Sequence, residues 1–213
     1  RRTVSNDFGS MVRRIRTDLN RGTAHDDRIK GAIEDAIKRF RVKRLGFNQK
    51  SAQTILYSAQ ETIALPIDWL EVDYIRLELD NDRQPLREVS YDLIEDRQRG
   101  IASDGEPRLF AIQNRTMRFY PIPDKSYTAI MSFHFDLTDV SVSSSDAATN
   151  AWMVEGEELI RKQAMGDLYV SYIGGSSVPL GGALLAEVEE RILPALETRA
   201  AREQTSGEVR PFL

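Results

Sequence analysis

The chain has 213 residues, 41% hydrophobic and 29% charged, a composition typical of a globular protein with one large domain or a small domain carrying an insertion. It contains no cysteine, which excludes a disulfide framework, a thiolate metal site and a cysteine nucleophile. No apolar run reaches the roughly 18 residues of a membrane helix, and no signal peptide is recognisable, so we expect no membrane partner.

The formal net charge of −4 is distributed unevenly along the chain. Residues 1–45 carry thirteen Lys or Arg against six Asp or Glu, so the N-terminal segment is strongly basic and the remainder is acidic. This division favours contact of the basic end with neighbouring proteins or with a polyanion. Two solvated helix faces would produce the same count, and the sequence leaves both interpretations open.

The apolar pattern of residues 1–46 predicts a helical hairpin. Apolar residues recur at helical spacing from Phe8 to Leu19 and from Ile29 to Phe40, which predicts helices over about 5–20 and 24–45. Gly46 is a typical helix stop. Helical hairpins serve much more often as packing units than as readers of DNA, so we expect no sequence-specific DNA recognition.

Residues 47–140 change period and predict an antiparallel β insertion. A short helix over 91–99, with Ser90 as its N-cap and Gly100 as its stop, interrupts the strands. The candidate strands are 55–57, 62–65, 72–79, 86–89, 109–112, 117–120 and 127–135.

Helical periodicity returns after a small, polar loop. Asn150 is a typical N-cap for a third helix that reaches about Ile173, where Gly174 and the glycine after it interrupt the pattern. A fourth helix is predicted over about 182–204, and Pro194 should kink it because proline removes one backbone hydrogen bond.

The predicted fold class is therefore α+β, with a four-helix core built from both chain ends and an antiparallel β insertion between them. The expected parts are an N-terminal helical hairpin over 1–46, the β insertion over 47–140, a C-terminal helical hairpin over 150–204 that packs on the first, and a C-terminal tail over 205–213.

No pattern of residues predicts catalysis, a metal or a cofactor. The two histidines, His25 and His134, have no nucleophile motif around them, and His134 shares a strand face with Asp136 as ordinary packed pairs do. Glu157 and Glu158 point differently around a helix, and no Glu-x-x-His motif accompanies them. We therefore expect a protein without enzymatic activity, cofactor or metal.

Short motifs in the middle of the chain carry a resemblance to a known family. The motifs, in chain order, are Phe47-Asn48-Gln49, Leu65 to Asp68, Phe119 to Tyr127, and Asn150 to Trp152. From about Asp26 to about Tyr172, their order and spacing resemble those of the head-to-tail adaptors of tailed bacteriophages, also called head-completion or neck proteins.

The resemblance implies a structural virion protein at the neck, between capsid and tail, assembled in the host cytoplasm. Copies of the chain, twelve in number, would form a ring that docks beneath the portal protein and prolongs the DNA channel. Packaged double-stranded DNA would pass through this ring without being read, and the ring would offer a platform for tail or nozzle proteins. C-terminal segments of this family reach along the portal, and residues 208–213 occupy the corresponding place.

The candidate residues for portal or subunit contact lie in the basic hairpin and in the tail. They are Arg13, Arg14, Arg16, Arg39, Arg41, Arg44, Val209, Arg210, Pro211, Phe212 and Leu213.

Two other functions stay open at this point. One is a nucleic-acid-binding protein that uses the basic N-terminal helices, which salt-sensitive binding to free DNA would favour. The other is a tail-associated enzyme or glycan-binding module that uses the aromatic-bearing β insertion as its surface.

Overall fold

The computed structural model describes residues 7–79, 82–100, 103–137 and 145–206. Its helices are α1 (Phe8–Asp18), α2 (Asp26–Phe40), α3 (Tyr91–Gly100), α4 (Ala151–Val154), α5 (Glu157–Leu168), α6 (Val178–Glu187) and α7 (Leu193–Ser206). Its strands are β1 (Gln49–Leu56), β2 (Thr62–Ala64), β3 (Trp69–Leu79), β4 (Asp82–Pro85), β5 (Arg87–Glu88), β6 (Asp104–Gly105), β7 (Leu109–Gln113), β8 (Thr116–Tyr120), β9 (Ile122–Pro123) and β10 (Tyr127–Phe135). The α+β class is confirmed.

The chain divides into two compact units. The described residues of Arg1–Asn48 and Leu137–Leu213 form one, which we call the helical unit. Gln49–Asp136 forms the other, which we call the β unit. The N- and C-terminal parts of the chain therefore share one core, and the β unit is inserted between them.

The N-terminal helices end earlier than their periodicity predicts. Helix α2 stops at Phe40, and the chain turns before a 3-10 helix at Gly46–Asn48. The buried side chain of Asn48 accepts a hydrogen bond from Leu45 N at 2.9 Å and donates one to Lys43 O at 2.8 Å. These bonds satisfy the backbone of the turn, which explains why the helix does not continue to Leu45.

The predicted third helix is divided into three segments. Asn150 caps α4 as predicted, because its side chain accepts a hydrogen bond from Met153 N at 3.3 Å. The break between α4 and α5 lies at Gly156, where an added Cβ would be 3.1 Å from Cε3 of the buried Trp152. A π-helical turn, Tyr169–Ile173, follows α5.

The predicted fourth helix begins at Val178, before the expected start, with a proline in its first turn. The expected disruption by Pro194 takes the form of a π-helical turn, Val188–Ile192, between α6 and α7. Proline clashes with the preceding turn of a regular α-helix, and both prolines and π turns are known causes of irregularity in helices.

The four apolar stripes of the predicted helices pack into one core, as expected. The indole of Trp152 is fully buried in it and donates a hydrogen bond from Nε1 to Leu137 O at 2.8 Å. Members of this core from the four predicted helices include Phe8, Met11, Ile15, Ile29, Ile33, Phe40, Leu159, Ile160, Leu168, Val188 and Ile192. Burying these side chains supplies the main driving force for folding of the helical unit.

The β unit contains two four-stranded sheets, in the orders β1-β10-β3-β4 and β2-β8-β7-β5, and a two-stranded sheet, β6-β9. Most pairs are antiparallel, but β5 pairs with β7 and β6 with β9 in parallel. The insertion is antiparallel as predicted, apart from these two short pairings, each over two residues. Helix α3 lies between β5 and β7 in the chain. It forms part of the crossover that lets β7 run in the same direction as β5, as parallel pairing requires.

The core of the β unit follows the two-residue period of β10. Its buried side chains Ala129 and Met131 pair in register with Leu77 and Ile75 of β3. The sequence predicted a short first strand from Ile55, whereas β1 begins at Gln49 and pairs along its length with β10. Residues Gln49–Thr54 have weak apolar alternation, so only the register with β10 identifies them as a strand.

Candidate assembly interface

Helix α1, which carries three of the candidate arginines, is anchored at its N-terminus by another part of the helical unit. The backbone N–H groups of Phe8 and Gly9 donate to the carbonyls of Ala148 and Asp146, both at 2.8 Å. A Cβ on Gly9 would lie 2.7 Å from the Asp146 Cβ, so this close approach favours glycine. The anchored helix turns its apolar stripe inward and leaves its arginines near the surface.

Arg13 and Arg14 border a groove of about 590 Å³ between α1 and α5. Arg161 of α5 completes a set of three guanidinium groups around it. The full lining is Ser10, Arg13, Arg14, Thr17, Asp18, Glu157 and Arg161. Sequence reasoning did not select Arg161, although Glu157 and Arg161 have the i,i+4 spacing of a helical ion pair.

Carboxylates in the groove pair with most of this positive charge. Glu157 Oε1 lies 3.1 Å from both Arg14 Nη1 and Arg161 Nε, and Asp18 Oδ2 lies 3.0 Å from Arg161 Nη1. Arg13 is different, because 57% of its side chain is exposed and its Nη2 lies as far as 3.8 Å from Asp7 Oδ1. Arg13 is therefore the arginine of this groove best placed to reach another molecule.

Arg16 points away from the groove and joins α1 to α2. Its Nη1 lies 2.8 and 3.1 Å from the two carboxylate oxygens of Asp26, and both side chains are partly buried. A partly buried ion pair of this kind holds the two helices of the hairpin in register. This position favours a role in the fold over a role in contact with a partner.

Arg39, Arg41 and Arg44 lie at the C-terminal end of α2 and just beyond it. Arg39 Nη2 is 3.3 Å from Glu189 Oε1 in the π-helical turn. Arg44 borders a second groove, of about 430 Å³, with Val42 and part of α7. The six candidate arginines therefore do not form one cluster, since those of α1 and those of α2 lie in separate places.

The basic N-terminal segment finds much of its counter-charge within the helical unit. Residues 137–213 contain twelve Asp or Glu and six Lys or Arg, so their net charge nearly balances the excess of residues 1–45. Described ion pairs that link the two segments are Arg14–Glu157, Lys30–Asp146, Arg39–Glu189, Lys43–Glu197 and Arg161–Asp18. The positive charge of the N-terminal segment is thus largely balanced by negative charge in the C-terminal part of the same helical unit.

The tail candidates lie outside the described residues. Val209, Arg210, Pro211, Phe212 and Leu213 all follow Ser206, where the description of the chain ends.

The β unit holds a buried polar cluster around His134. His134 Nδ1 is 3.1 Å from Asp73 Oδ1, and the hydroxyl of Ser132 donates to Asp73 Oδ2 at 3.3 Å. Because the serine bonds to the carboxylate and not to the imidazole, the cluster lacks the order of a nucleophilic triad. The contact of His134 with Asp73 joins β10 to β3, and the sequence did not indicate it.

Among the described residues, no group of His, Asp and Glu has the arrangement of a metal site. No helix in the described part of the chain is both long enough and apolar enough to cross a membrane.

The sequence matches a known protein family. The profile of the SU10 adaptor protein family, a family of phage head-tail adaptors, matches residues 6–204. The chain therefore belongs to the SU10 adaptor protein family, and it is a structural adaptor protein of a phage. Membership implies association with portal and tail proteins. A search of curated proteins finds no match to the chain.

Proposed function

We propose that copies of this chain form a ring of twelve that docks beneath the portal, extends the DNA channel and joins the head to the tail. The observation that carries this proposal is the family match over residues 6–204, which spans both structural units. Such a role needs no reaction. It needs a repeated heterologous contact between identical subunits, which closes into a ring when the rotation between neighbours allows it.

Ion pairs within the helical unit support a ring through which DNA passes without being bound by the N-terminal helical hairpin. Proteins that hold DNA neutralise its phosphates with Lys and Arg side chains. Here Arg14, Arg16 and Arg39 have carboxylate partners at 3.1, 2.8 and 3.3 Å. This favours the adaptor over the alternative of a nucleic-acid-binding protein. No observation favours the other alternative, a tail-associated enzyme or glycan-binding module.

We assign contacts with the portal or with neighbouring subunits to the exposed arginines at both places in the helical unit. Arg13 and Arg39 expose 57% and 52% of their side chains, whereas Arg16 exposes 22%. Arg14, Arg41 and Arg44 complete the proposed contact set. Arg16 belongs to it only indirectly, through the hairpin that it stabilises.

We also propose that the tail, residues 205–213, docks on the portal. Its last three residues are Pro, Phe and Leu, an apolar group whose burial would offset the entropy lost when a chain end becomes ordered. Deleting Thr205 to Leu213 should weaken co-sedimentation with isolated portal rings and leave the circular dichroism spectrum unchanged. Equal binding by the full and shortened chains would dismiss this docking role.

The whole proposal is tested by imaging the neck of purified phage particles. A reconstruction at the head-tail junction should contain twelve copies of the α+β subunit in contact with the portal. Finding the protein elsewhere in the particle, or finding the neck without it, would overturn the proposed function.

A further inference from the structure

Large apolar side chains are exposed at two separate places in the described helical unit. Val42 exposes 65% of its surface. Val170, Val178 and Leu180 expose 41%, 41% and 52%. Exposed apolar groups that gather at defined places on a protein are typical of contact surfaces.

These places lie at opposite ends of α2. The N-terminal half of α2, from Arg28 to Asp35, borders a groove with Asp167 to Tyr172, which places Val170 near that end. At the other end, Lys43 Nζ lies 3.7 Å from Glu197 of α7, next to Val42. The 15 residues of α2 separate the two ends by about 22 Å, at about 1.5 Å per residue.

We call the first end the tip, defined as residues 168–186. The tip contains no charged residue over nineteen positions, although 29% of the whole chain is charged. It includes the turn between α5 and α6 and the whole exposed face of α6 before Glu187. A surface without charged side chains offers no ion pair to nucleic acid phosphates or to a strongly charged partner, so its chemistry fits a partner that contributes apolar side chains.

We call the second end the Val42 groove. It has a volume of about 430 Å³. Val42, Ala200 and Ala201 provide its apolar part, and Lys43, Arg44 and Glu197 border it. Its alanine side chains are small, which leaves room beside Val42 for a branched aliphatic group such as Leu180.

We propose that the tip of one copy binds the Val42 groove of the next copy, with Leu180 as the inserted side chain. Two different surfaces of the same chain then meet, so the contact is heterologous and repeats from copy to copy, as ring formation requires. The occupant is a second copy because each chain carries both halves, at opposite ends of one helix. This inference rests on the proposed ring-forming function and identifies the contact that builds the ring.

Cysteine crosslinking in assembled particles tests the contact, because the chain has no cysteine of its own. We expect particles that carry the double variant Val42→Cys, Leu180→Cys to give a ladder of multimers on oxidation or with a short bis-maleimide, and the oxidised ladder to collapse with reductant. Each single variant should remain monomeric, since a heterologous contact never brings two copies of one position together. A disulfide requires Cα atoms within about 7 Å, and the bis-maleimide covers small misalignments.

The matched control is Val42→Cys, Asp35→Cys. The Asp35 side chain is 77% exposed, but it lies on the flank of α2 and not on the tip, so this pair should not crosslink. A second pair, Ala201→Cys with Val178→Cys, probes the same contact. Particles that contain the variant chains without a ladder from either tip pair would overturn the inference, as would dimers from a single variant.

If the tip variants fold but do not enter particles, whereas the Asp35→Cys control does, the tip is needed for assembly and the proposal gains support. Detection of the chain at the neck in the same particles tests the proposed function separately. A chain located at the neck without a tip-to-groove crosslink rejects only the contact described here.

Discussion

At the scale of single residues, neighbouring glycines of α6 have opposite roles. A Cβ on Gly181 would lie 2.9 Å from the carbonyl oxygen of Gly166 and 2.8 Å from Val170 Cγ2, whereas one on Gly182 would meet nothing within 4 Å. We expect Gly181→Ala to lower the free energy of unfolding by about 1–3 kcal/mol through overpacking. Gly182→Ala should raise it by up to about 1 kcal/mol, because alanine favours the helix.

Urea denaturation of both variants measures the two effects, with wild type as reference. Equal changes of the same sign would show that α5 and α6 do not cross closely at these glycines.

Tyr127 links the stability of the β unit to alkaline pH. Burial, and then the hydrogen bond from its hydroxyl to Asp124 Oδ1 at 2.6 Å, raise the pKa of Tyr127 from 10.0 to about 12. The folded state therefore holds this proton more tightly than the unfolded state. The resulting stability is complete below pH 10 and is lost as the pH rises from about 10 to 12.

Tyr127→Phe should remove that part of the pH dependence. Its free energy of unfolding should fall less than that of wild type between pH 9 and pH 11.5 in urea denaturation, and absorbance of tyrosinate should show one fewer late-titrating group. Parallel pH profiles for the two proteins would contradict the assignment.

At the scale of elements, the start of α4 depends on one side chain. Asn150 is extended and caps Met153 N, and the helix it begins places Trp152 in the core. Asn150→Ala should cost about 1 kcal/mol, within the range of about 0.5–2 kcal/mol measured for lost caps.

Asn150→Ser is the matched control, since serine retains the capping oxygen and should stay within about 0.5 kcal/mol of wild type. Thermal unfolding of the three proteins compares these costs. A loss as large for serine as for alanine would show that the amide acts through another contact.

For the molecule as a whole, ion pairs between the N- and C-terminal segments limit the number of arginine side chains that can bind a polyanion. Glu157 contacts Arg14 and Arg161, and Glu189 contacts Arg39. We expect wild type to bind random-sequence duplex DNA weakly, with a shallow dependence on salt.

The double variant Glu157→Gln, Glu189→Gln should bind the same DNA more tightly, because it removes two negative charges that lie 3.1 Å from Arg14 and 3.3 Å from Arg39. Each arginine that gains a phosphate contact should steepen the slope of log K against log salt by about 0.9. Fluorescence anisotropy at several salt concentrations measures both slopes, with circular dichroism as the folding control. Tight, steeply salt-dependent binding by wild type would favour the nucleic-acid-binding alternative.

Sequence alone predicts the α+β class, the succession of helical, β and helical segments, the Asn150 cap and the interruption at Gly174. These features depend on apolar periodicity and on local backbone preferences, which neighbouring residues set. The composition of the helical core also followed, because an apolar stripe on a soluble helix must be buried against another. The motifs between about Asp26 and Tyr172 indicated the adaptor family that the profile match supports.

Contacts between distant parts of the chain depend on how the folded chain packs. The partners of Arg14 and Arg39 lie more than 140 positions away, so no local pattern could reveal that the basic segment is neutralised internally. The early end of α2 depends on the Asn48 side chain. The parallel pairing of β5 with β7 depends on the crossover through α3. The separation of the tip from the Val42 groove likewise arises from helix packing, because contact between distant segments depends on the fold and not on sequence spacing.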